Sequence, residues 1–489
     1  MTFLFFLSSG LFLGWSLGAN DAANVFGSAV GSRMIRFTTA AIICSVFIML
    51  GAVVSGAGAA HTLGKLGAIN ALGGAFATAL AAAITVYAMS YMKLPVSTSQ
   101  AIVGAIIGWN FFSGSNTDFT VLQKIVMTWV LCPILSGITA VLLYKLVGWI
   151  LDRAGLHLIT LDGMVRYALI AAGAFGSFSL GANNIGNVMG VFIASSPFSE
   201  ISFGPMIFSP VQVLFMLGGL AIALGVFTYS KRVMMTVGSG LMPLTPVAAF
   251  VVVIAHSIVL FLFASEGLEY FLASNGMPTI PLVPLSSSQA VVGAIIGIGL
   301  LKGGHQIHWR VVGKIACGWA TTPAIAFALS LFTFLLAQNL FMVKVFEPIS
   351  YQVTPPVIEK LADMGVHDHM LKGMEGEVFS DAEVFKDSLR EETDVEDSHL
   401  SMVVDLSRKF YLEVDLDRLD MDQLDLEPQQ LEALNKLNGK TYEYSWQLTD
   451  ELTKESKNWA FREKTVLNKP YNRHLETQFE QLFRAFSIL

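Results

Sequence analysis

The stretch LPVSTSQAIVGAIIGW at residues 94–109 returns later in the chain as VPLSSSQAVVGAIIGI at residues 283–298. The two copies are identical at 11 of 16 positions. Each copy has a proline, a run of hydroxyl side chains and then an apolar segment with small residues at a spacing typical of membrane helix packing. The repeat indicates that the apolar part of the chain consists of two homologous halves.

We call the three hydroxyl residues of this repeat, at 97–99 and 286–288, the serine motif. A second repeated motif, which we call the GAN motif, precedes it in each half. GANDAANV at residues 18–25 returns as GANNIGNV at residues 181–188. The offset between copies grows from 163 residues at the GAN motif to 189 at the serine motif, so about 26 residues are inserted in the second half, mostly before its serine motif. We predict transmembrane repeats at residues 1–155 and 160–345.

The composition indicates a membrane protein with a soluble tail. Of 489 residues, 54% are hydrophobic and 14% charged, whereas an average soluble domain has about 25% charged residues. A bilayer core of about 30 Å needs about 20 apolar residues per helix. Candidate segments are 2–19, which we interpret as a retained helix and not a signal peptide, then 37–60, 70–92, 95–112, 121–150, 163–180, 208–230, 244–265, 284–301 and 310–341.

The charged residues separate the two parts. Residues 1–345 carry a formal charge of +7 and residues 346–489 one of −14. We predict that residues 346–489 form an acidic soluble α+β domain, with a strand of about eight residues within 409–426 and helices through 428–489. Its acidity argues against binding nucleic acid or anionic lipid. We interpret His367-Asp368-His369 as a solvated loop and not as a metal site.

Basic residues near the helix ends predict the topology. They give each half an odd number of crossings, which inverts one half relative to the other. The predicted fold is therefore an all-α polytopic membrane protein with two inverted-topology repeats, broken helices and re-entrant hairpins. We expect a multi-pass protein of the cell membrane, in contact with the lipid bilayer.

The GAN motif places polar residues at membrane depth. Because Gly, Asn and Asp favour breaks in a helix, we predict unwound backbone there, which a membrane tolerates only where it lines a cavity. Asp21 is an ionisable group inside an apolar segment and therefore a candidate functional residue. Its carboxylate, with neighbouring amide oxygens, suits a hard cation such as Na⁺. A proton carrier and a structural cap are the alternatives.

The serine motifs are typical of anion sites. A run of hydroxyl groups at a helix N-terminus combines free N–H groups, the positive end of the helix dipole and O–H donors. Two such tips could hold an oxyanion between them, although simple helix capping is the alternative. The amides that follow directly are expected to add donors or shape the tip. The candidate residues are Ser97, Thr98, Ser99 and Gln100 in the first half and Ser286, Ser287, Ser288 and Gln289 in the second.

Other polar residues carry less information. His256, within VVVIAHSIVLF, is expected to be a hydrogen-bonded interior histidine more than a proton relay. No nucleophile–base arrangement, P-loop or dinucleotide fingerprint is convincing, so we expect a protein that is not an enzyme.

The two GAN motifs and two P-x-S-[ST]-S motifs, in this order over residues 1–345, resemble the inorganic phosphate transporter (PiT) family. The resemblance implies cation-coupled phosphate uptake, usually with Na⁺ and in some members with H⁺, by a homodimer. It implies that the serine and threonine tips serve the phosphate. The second motif departs from the family pattern because it has Asn in place of Asp, which removes one negative charge. The implied cation ligands are Asp21 and Asn24, then Asn184 and Asn187, to which we add Asn20 and Asn183.

Our hypothesis is a secondary transporter that imports inorganic phosphate with a cation, Na⁺ before H⁺, by alternating access and without an organic cofactor. A sulfate permease of the same family is the first alternative. A membrane signalling or scaffold protein that acts through its tail is the second.

Overall fold

We describe the protein from a computed structural model, which covers residues 2–67, 69–92, 94–155, 157–198, 200–203, 206–366, 370–419, 424 and 426–488. The stretch His367-Asp368-His369 lies outside these residues. The chain forms two compact units. The first, here called the membrane unit, comprises Met1–Phe112, Thr117–Glu269 and Thr279–Glu347, and the second, the C-terminal unit, comprises Ser113–Asn116, Tyr270–Pro278 and Pro348–Leu489.

Before residue 340, the described residues form thirteen α-helices and one short antiparallel hairpin. The hairpin consists of β1 (Ile201–Phe203) and β2 (Met206–Phe208). The helices are α1 (Thr2–Gly31), α2 (Phe37–Ser55), α3 (Ala57–Leu66), α4 (Leu72–Tyr91), α5 (Thr98–Ser113), α6 (Phe119–Ala154), α7 (Leu158–Ile193), α8 (Pro210–Thr228), α9 (Ser230–Gly240), α10 (Pro246–Ala264), α11 (Glu266–Ser274), α12 (Ser287–Leu301) and α13 (Trp309–Asn339).

Within the described residues, eight helices are long and apolar enough to cross a membrane. They are α1, α2, α4, α6, α7, α8, α10 and α13. The chain is thus a multi-pass membrane protein. Of the ten predicted segments, these account for eight, whereas 95–112 and 284–301 correspond to the shorter helices α5 and α12, which begin at the serine motifs.

The extra residues of the second half lie in two connections. Residues 194–209, which include β1 and β2, join α7 to α8, where residues 32–36 join α1 to α2. Residues 265–286, which include α11, join α10 to α12, where residues 92–97 join α4 to α5. Both connections precede the second serine motif, as the sequence offsets predict.

The predicted breaks at the GAN motifs are wrong. Residues 18–25 lie inside α1 and residues 181–188 inside α7, and both helices continue past the motif. An α-helix remains intact here because the Asn side chains find most of their partners on other segments. The exception is Asn184, whose Nδ2 donates to the Leu180 carbonyl of its own helix at 3.1 Å. At about 1.5 Å per residue, the 30 residues of α1 extend over about 45 Å, more than a bilayer core.

The glycines of the GAN motifs allow backbones to touch. A Cβ at Gly18 of α1 would collide with the carbonyl oxygen of Ile222 in α8, and a Cβ at Gly181 of α7 would collide with that of Ile48 in α2. More widely, α1 packs on α8 and α9, while α7 packs on α2 and α3. Each GAN helix therefore packs against helices of the opposite half.

The helices that begin at the serine motifs, α5 and α12, also pack against helices of the opposite half. Gly104 of α5 lies against the backbone of Pro323 in α13, and Gly293 of α12 against that of Pro133 in α6. These glycines belong to the repeated GAIIG sequence. The small residues thus serve close helix packing between the halves, as this pattern predicts.

The C-terminal unit has its own apolar cores, centred on residues such as Val357 and Phe385 and on Trp459 and Phe479. Among the described residues of 409–426, the predicted strand is reduced to the two residues of β5 (Leu412–Glu413), since Asp415 then accepts a hydrogen bond from the Asp417 backbone N–H and opens a 3₁₀ turn. The elements are β3 (Tyr351–Gln352), α14 (Pro355–Asp363), β4 (Val378–Phe379), α15 (Ala382–Glu392), α16 (Asp397–Ser407), β5 (Leu412–Glu413), α17 (Pro428–Lys436), β6 (Thr441–Tyr442), α18 (Ser445–Glu455) and α19 (Lys469–Phe486).

One local arrangement occurs twice in this unit. Strand β3 pairs antiparallel with β4, and β5 pairs antiparallel with β6. Before the second strand of each pair, a glycine with positive φ donates its N–H to a valine carbonyl, Gly376 to Val353 and Gly439 to Val414. The C-terminal unit therefore contains the same strand–helix–glycine–strand–helix pattern twice.

We predict that Gly181→Ala lowers the thermal stability of the purified protein, whereas Gly148→Ala does not. A methyl group at residue 181 would displace the α2 backbone, at a cost of about 1–3 kcal/mol. Gly148 of α6 has no neighbour within 4 Å of the added Cβ, and alanine is the better helix former. Thermal unfolding in detergent checks this, and equal melting temperatures for both variants would contradict it.

Candidate functional site

The first GAN motif touches both serine motifs. On α1, Asn24 Nδ2 lies 3.4 Å from Asp21 Oδ1 and donates to Ser287 Oγ of the second serine motif at 3.0 Å. Thr98 Oγ1 of the first serine motif lies 3.5 Å from Asp21 Oδ2. Residues 21 and 24 share one helix face because they are three positions apart. This face of α1 therefore bridges the two halves.

The second GAN motif makes the reciprocal contact. On α7, Asn187 Nδ2 donates to Ser99 Oγ at 2.8 Å and to Asn184 Oδ1 at 2.9 Å. Ser99 Oγ in turn donates to the Leu285 carbonyl at 3.0 Å, directly before the second serine motif. The structure thus brings both serine motifs and both GAN motifs into one buried polar cluster.

The remaining two GAN asparagines hold the extended segments that lead into the serine helices. Asn183 forms two hydrogen bonds with the backbone of Leu285, donating to its carbonyl at 2.8 Å and accepting from its N–H at 2.9 Å. Asn20 donates to Ser90 Oγ at 2.7 Å and to the Leu94 carbonyl at 3.3 Å. Both side chains therefore fix the backbone that positions the serine tips.

Two of the six predicted hydroxyl groups cap their helices. Ser97 Oγ accepts from the Gln100 N–H at 3.2 Å, and Ser286 Oγ accepts from the Gln289 N–H at 3.3 Å while lying 3.2 Å from Ser288 Oγ. Capping leaves the other first-turn N–H groups of α5 and α12 and the positive ends of their dipoles directed at the cluster. The capping alternative thus applies to Ser97 and Ser286.

Several oxygens in the cluster are buried and accept no hydrogen bond from the described residues. They can accept a hydrogen bond from a ligand or coordinate a hard cation. All fourteen predicted site residues are at most 3% exposed, so such groups are costly unless something satisfies them. The unpartnered oxygens are Asn20 Oδ1, Asn24 Oδ1, Asn187 Oδ1, Gln100 Oε1 and Gln289 Oε1.

Asp21 carries the formal negative charge of the cluster. Its hydrogen-bond neighbours, Asn24 and Thr98, are neutral. A buried carboxylate without a counter-charge is strongly unfavourable, so the site favours a cation or a proton beside it. Among the described residues, no group of three or more His, Cys, Asp or Glu side chains could hold a metal ion, and a hard monovalent cation fits this oxygen set better than a transition metal does.

Three further side chains with buried polar groups lie outside the fourteen predicted site residues. One is His256, which the sequence predicts to be a hydrogen-bonded interior histidine, and the structure confirms this. His256 Nε2 of α10 lies 3.2 Å from Ser287 Oγ. The indole N–H groups of Trp129 and Trp319 are buried and find no acceptor among the described residues. For the two tryptophans, the sequence signal is a Lys…Trp…Pro spacing that follows both serine motifs, because it places Trp129 and Trp319 at equivalent positions of the two halves.

A family model described as the phosphate transporter family matches residues 17–270 and 271–488. The match extends beyond residue 345, where the repeated motifs end. It also covers the acidic tail.

Individual proteins are similar over about two thirds of this chain. A candidate phosphate permease of Methanocaldococcus jannaschii is 28% identical over 311 residues, which cover 63% of this chain and 89% of the relative. One from Haemophilus influenzae is 26% identical over 406 residues, covering 65% and 92% respectively. A solved structure titled "The sodium-dependent phosphate transporter" has a TM-score of 0.56 and 23% identity, covering 69% of this chain and all of its own. At that identity the likeness shows a shared fold.

We predict that Asn183→Leu lowers the melting temperature in detergent more than Asn183→Asp does. Leucine would leave the N–H of Leu285 buried without its partner, at about 1–3 kcal/mol. The carbonyl of Leu285 would keep only the hydrogen bond from Ser99. In its neutral form, aspartic acid can accept from the Leu285 N–H and donate to the Leu285 carbonyl, so it keeps both hydrogen bonds. Two variants with the same melting temperature as the unmodified protein would show that this pair of hydrogen bonds does not hold the segment.

Proposed function

This chain belongs to the phosphate transporter family, and we propose that it imports inorganic phosphate together with Na⁺. The observation that carries the proposal is the reciprocal pair of contacts, Asn24 to Ser287 and Asn187 to Ser99. Through them, oxygen ligands suited to a cation and helix N-termini suited to an anion meet in one buried cluster.

For the cation, we assign Asp21 and the unpartnered amide oxygens of Asn24 and Asn187. Na⁺ prefers hard oxygen ligands, and here it would also neutralise a carboxylate whose hydrogen-bond neighbours are neutral. Asn184 Oδ1 accepts from Asn187 Nδ2, so in the second motif it is a neutral ligand with one lone pair in use. This pattern favours one tightly bound cation at Asp21 over two equivalent ones.

For the anion, we assign Thr98 and Ser99 with Ser287 and Ser288, together with the first-turn N–H groups of α5 and α12. Hydrogen phosphate carries a P–OH group that donates a hydrogen bond, whereas sulfate at neutral pH has only acceptors. The buried Oε1 atoms of Gln100 and Gln289 can accept from such a donor. They support phosphate as the cargo over sulfate.

The transport cycle that we propose begins with the cation. Its binding removes the unfavourable charge of Asp21 and fixes Asn24, which donates to Ser287. The anion then binds between the two serine tips. One substructure rocks against the other and exposes the site to the opposite side of the membrane.

We also propose that the halves at residues 1–155 and 160–345 are inverted relative to each other. The exchanged packing of α1 on α8 and α9, and of α7 on α2 and α3, supports this. The homodimer, the location in the cell membrane and the domain boundary at residue 346 stay predictions.

We predict that Asp21→Asn abolishes Na⁺-driven phosphate uptake, since an amide cannot offset the charge of the cation. Radiolabelled phosphate uptake into proteoliposomes with an inward Na⁺ gradient measures this. Asp162→Asn serves as the control, because Asp162 is an exposed carboxylate of α7 paired with Arg166. Na⁺-driven uptake that persists in Asp21→Asn would refute the assigned role, and wild-type uptake driven by a proton gradient alone would replace Na⁺ by H⁺.

We predict that the double variant Gln100→Leu/Gln289→Leu loses selectivity for phosphate over sulfate. Leucine removes the two acceptors for the P–OH group, so phosphate affinity is expected to fall by about tenfold while sulfate affinity changes less. Competition of unlabelled sulfate against labelled phosphate reports the ratio. If the ratio of sulfate to phosphate affinity equals that of the wild type, residues other than Gln100 and Gln289 recognise the P–OH group.

A further inference from the structure

The side chain of His256 contacts the second serine motif. It lies on α10, is fully buried, and places Nε2 at 3.2 Å from Ser287 Oγ. Ser287 Oγ also receives a hydrogen bond from Asn24 Nδ2 at 3.0 Å. Ser287 is thus the point where the imidazole and the first GAN motif meet.

The hydrogen-bond capacity of Ser287 restricts what its hydroxyl group can do. A hydroxyl oxygen has two acceptor sites and one proton to donate. The Asn24 amide nitrogen can only donate, so it occupies one acceptor site. In the tautomer that carries its proton on Nε2, neutral His256 donates to the second acceptor site. Ser287 can then only donate, and a ligand oxygen that accepts is the partner it fits.

The first half of the chain uses a different arrangement at the equivalent place. Matching the ends of α4 to those of α10 puts His256 at the position of Ala82 or Ala83. Thr98, which corresponds to Ser287, lies 3.5 Å from the Asp21 carboxylate. The imidazole therefore belongs to the half in which Asn184 replaces the second carboxylate.

We infer that His256 is a positioning residue that holds the Ser287 hydroxyl group as a hydrogen-bond donor toward the transported oxyanion. The inference rests on the proposed phosphate transport and deepens it. His256 acts through Ser287 and does not itself contact the cargo. The other tautomer, in which Ser287 donates to Nε2, uses up the serine proton and is the one that anion binding disfavours.

The test compares two amide replacements in the full-length protein. Gln can place its Nε2 where the imidazole Nε2 lies, whereas Asn is too short to reach Ser287. His256→Asn is expected to raise the KM for phosphate by about tenfold, the usual effect of one lost hydrogen bond, with little change in kcat or in Na⁺ dependence. His256→Gln is expected to restore the KM. His305→Asn, in an exposed loop, is the control for surface histidines.

Coupling to Ser287 separates this role from general support of the fold. In the double variant His256→Asn/Ser287→Ala, the KM should be no higher than in Ser287→Ala alone, because both changes remove the same interaction. Independent, multiplicative effects would overturn the inference. If His256 variants fail to reach the membrane, Ser287→Ala still decides, since an unchanged phosphate KM there overturns it.

The two proposals fail in different ways. Wild-type proteoliposomes without any phosphate uptake would overturn the proposed function and this inference with it. Wild-type uptake with an unchanged KM in His256→Asn would overturn the inference alone.

Discussion

The membrane unit depends on the need to satisfy polar groups inside an apolar protein. The polar residues of its GAN and serine motifs are at most 3% exposed, and an unpaired polar group at such a place costs about 1–3 kcal/mol. Asn24 and Asn187 meet this requirement by donating to serines of the opposite half. Neither half could provide these partners alone. The polar cluster therefore ties the halves together, and the same contacts bring the candidate cation ligands and the candidate anion donors into one place.

Close helix packing follows from the same constraint. Asparagine and serine side chains are short, so their segments meet only when the backbones around them nearly touch. Glycine allows the GAN helices to pack equally closely on their other neighbours, where Gly18 and Gly181 face the carbonyl groups of Ile222 and Ile48. Because the amides find most of their partners on neighbouring segments, α1 and α7 remain helical through the motif. The GAN motif thus makes these helices polar on one face without unwinding them.

Within this shared framework the two halves differ in chemistry. The first half offers a carboxylate, Asp21, next to Thr98. The second has a neutral amide at the matching position and an imidazole, His256, beside Ser287. Under the proposed function, the first half supplies the carboxylate that a cation needs, whereas both halves supply neutral donors for the anion. Such an asymmetric site can bind both ions without placing two uncompensated charges in the membrane interior.

The sequence by itself determined the class of the protein, the ten apolar segments that form eight long and two shorter helices, and the residues that gather at the cluster. It could do so because hydrophobic length and repeated motifs are local properties of the chain. It also indicated that the halves correspond, through the 11 of 16 identical positions of the serine motifs. Only the tertiary structure decided that Asn24 and Asn187 donate to serines of the opposite half and that the GAN helices stay continuous. It also decided that Ser97 and Ser286 cap their helices and that His256 contacts Ser287. These outcomes depend on contacts between residues far apart in the chain, such as the 263 positions between Asn24 and Ser287. Local propensity does not determine which distant partner will satisfy a buried polar group.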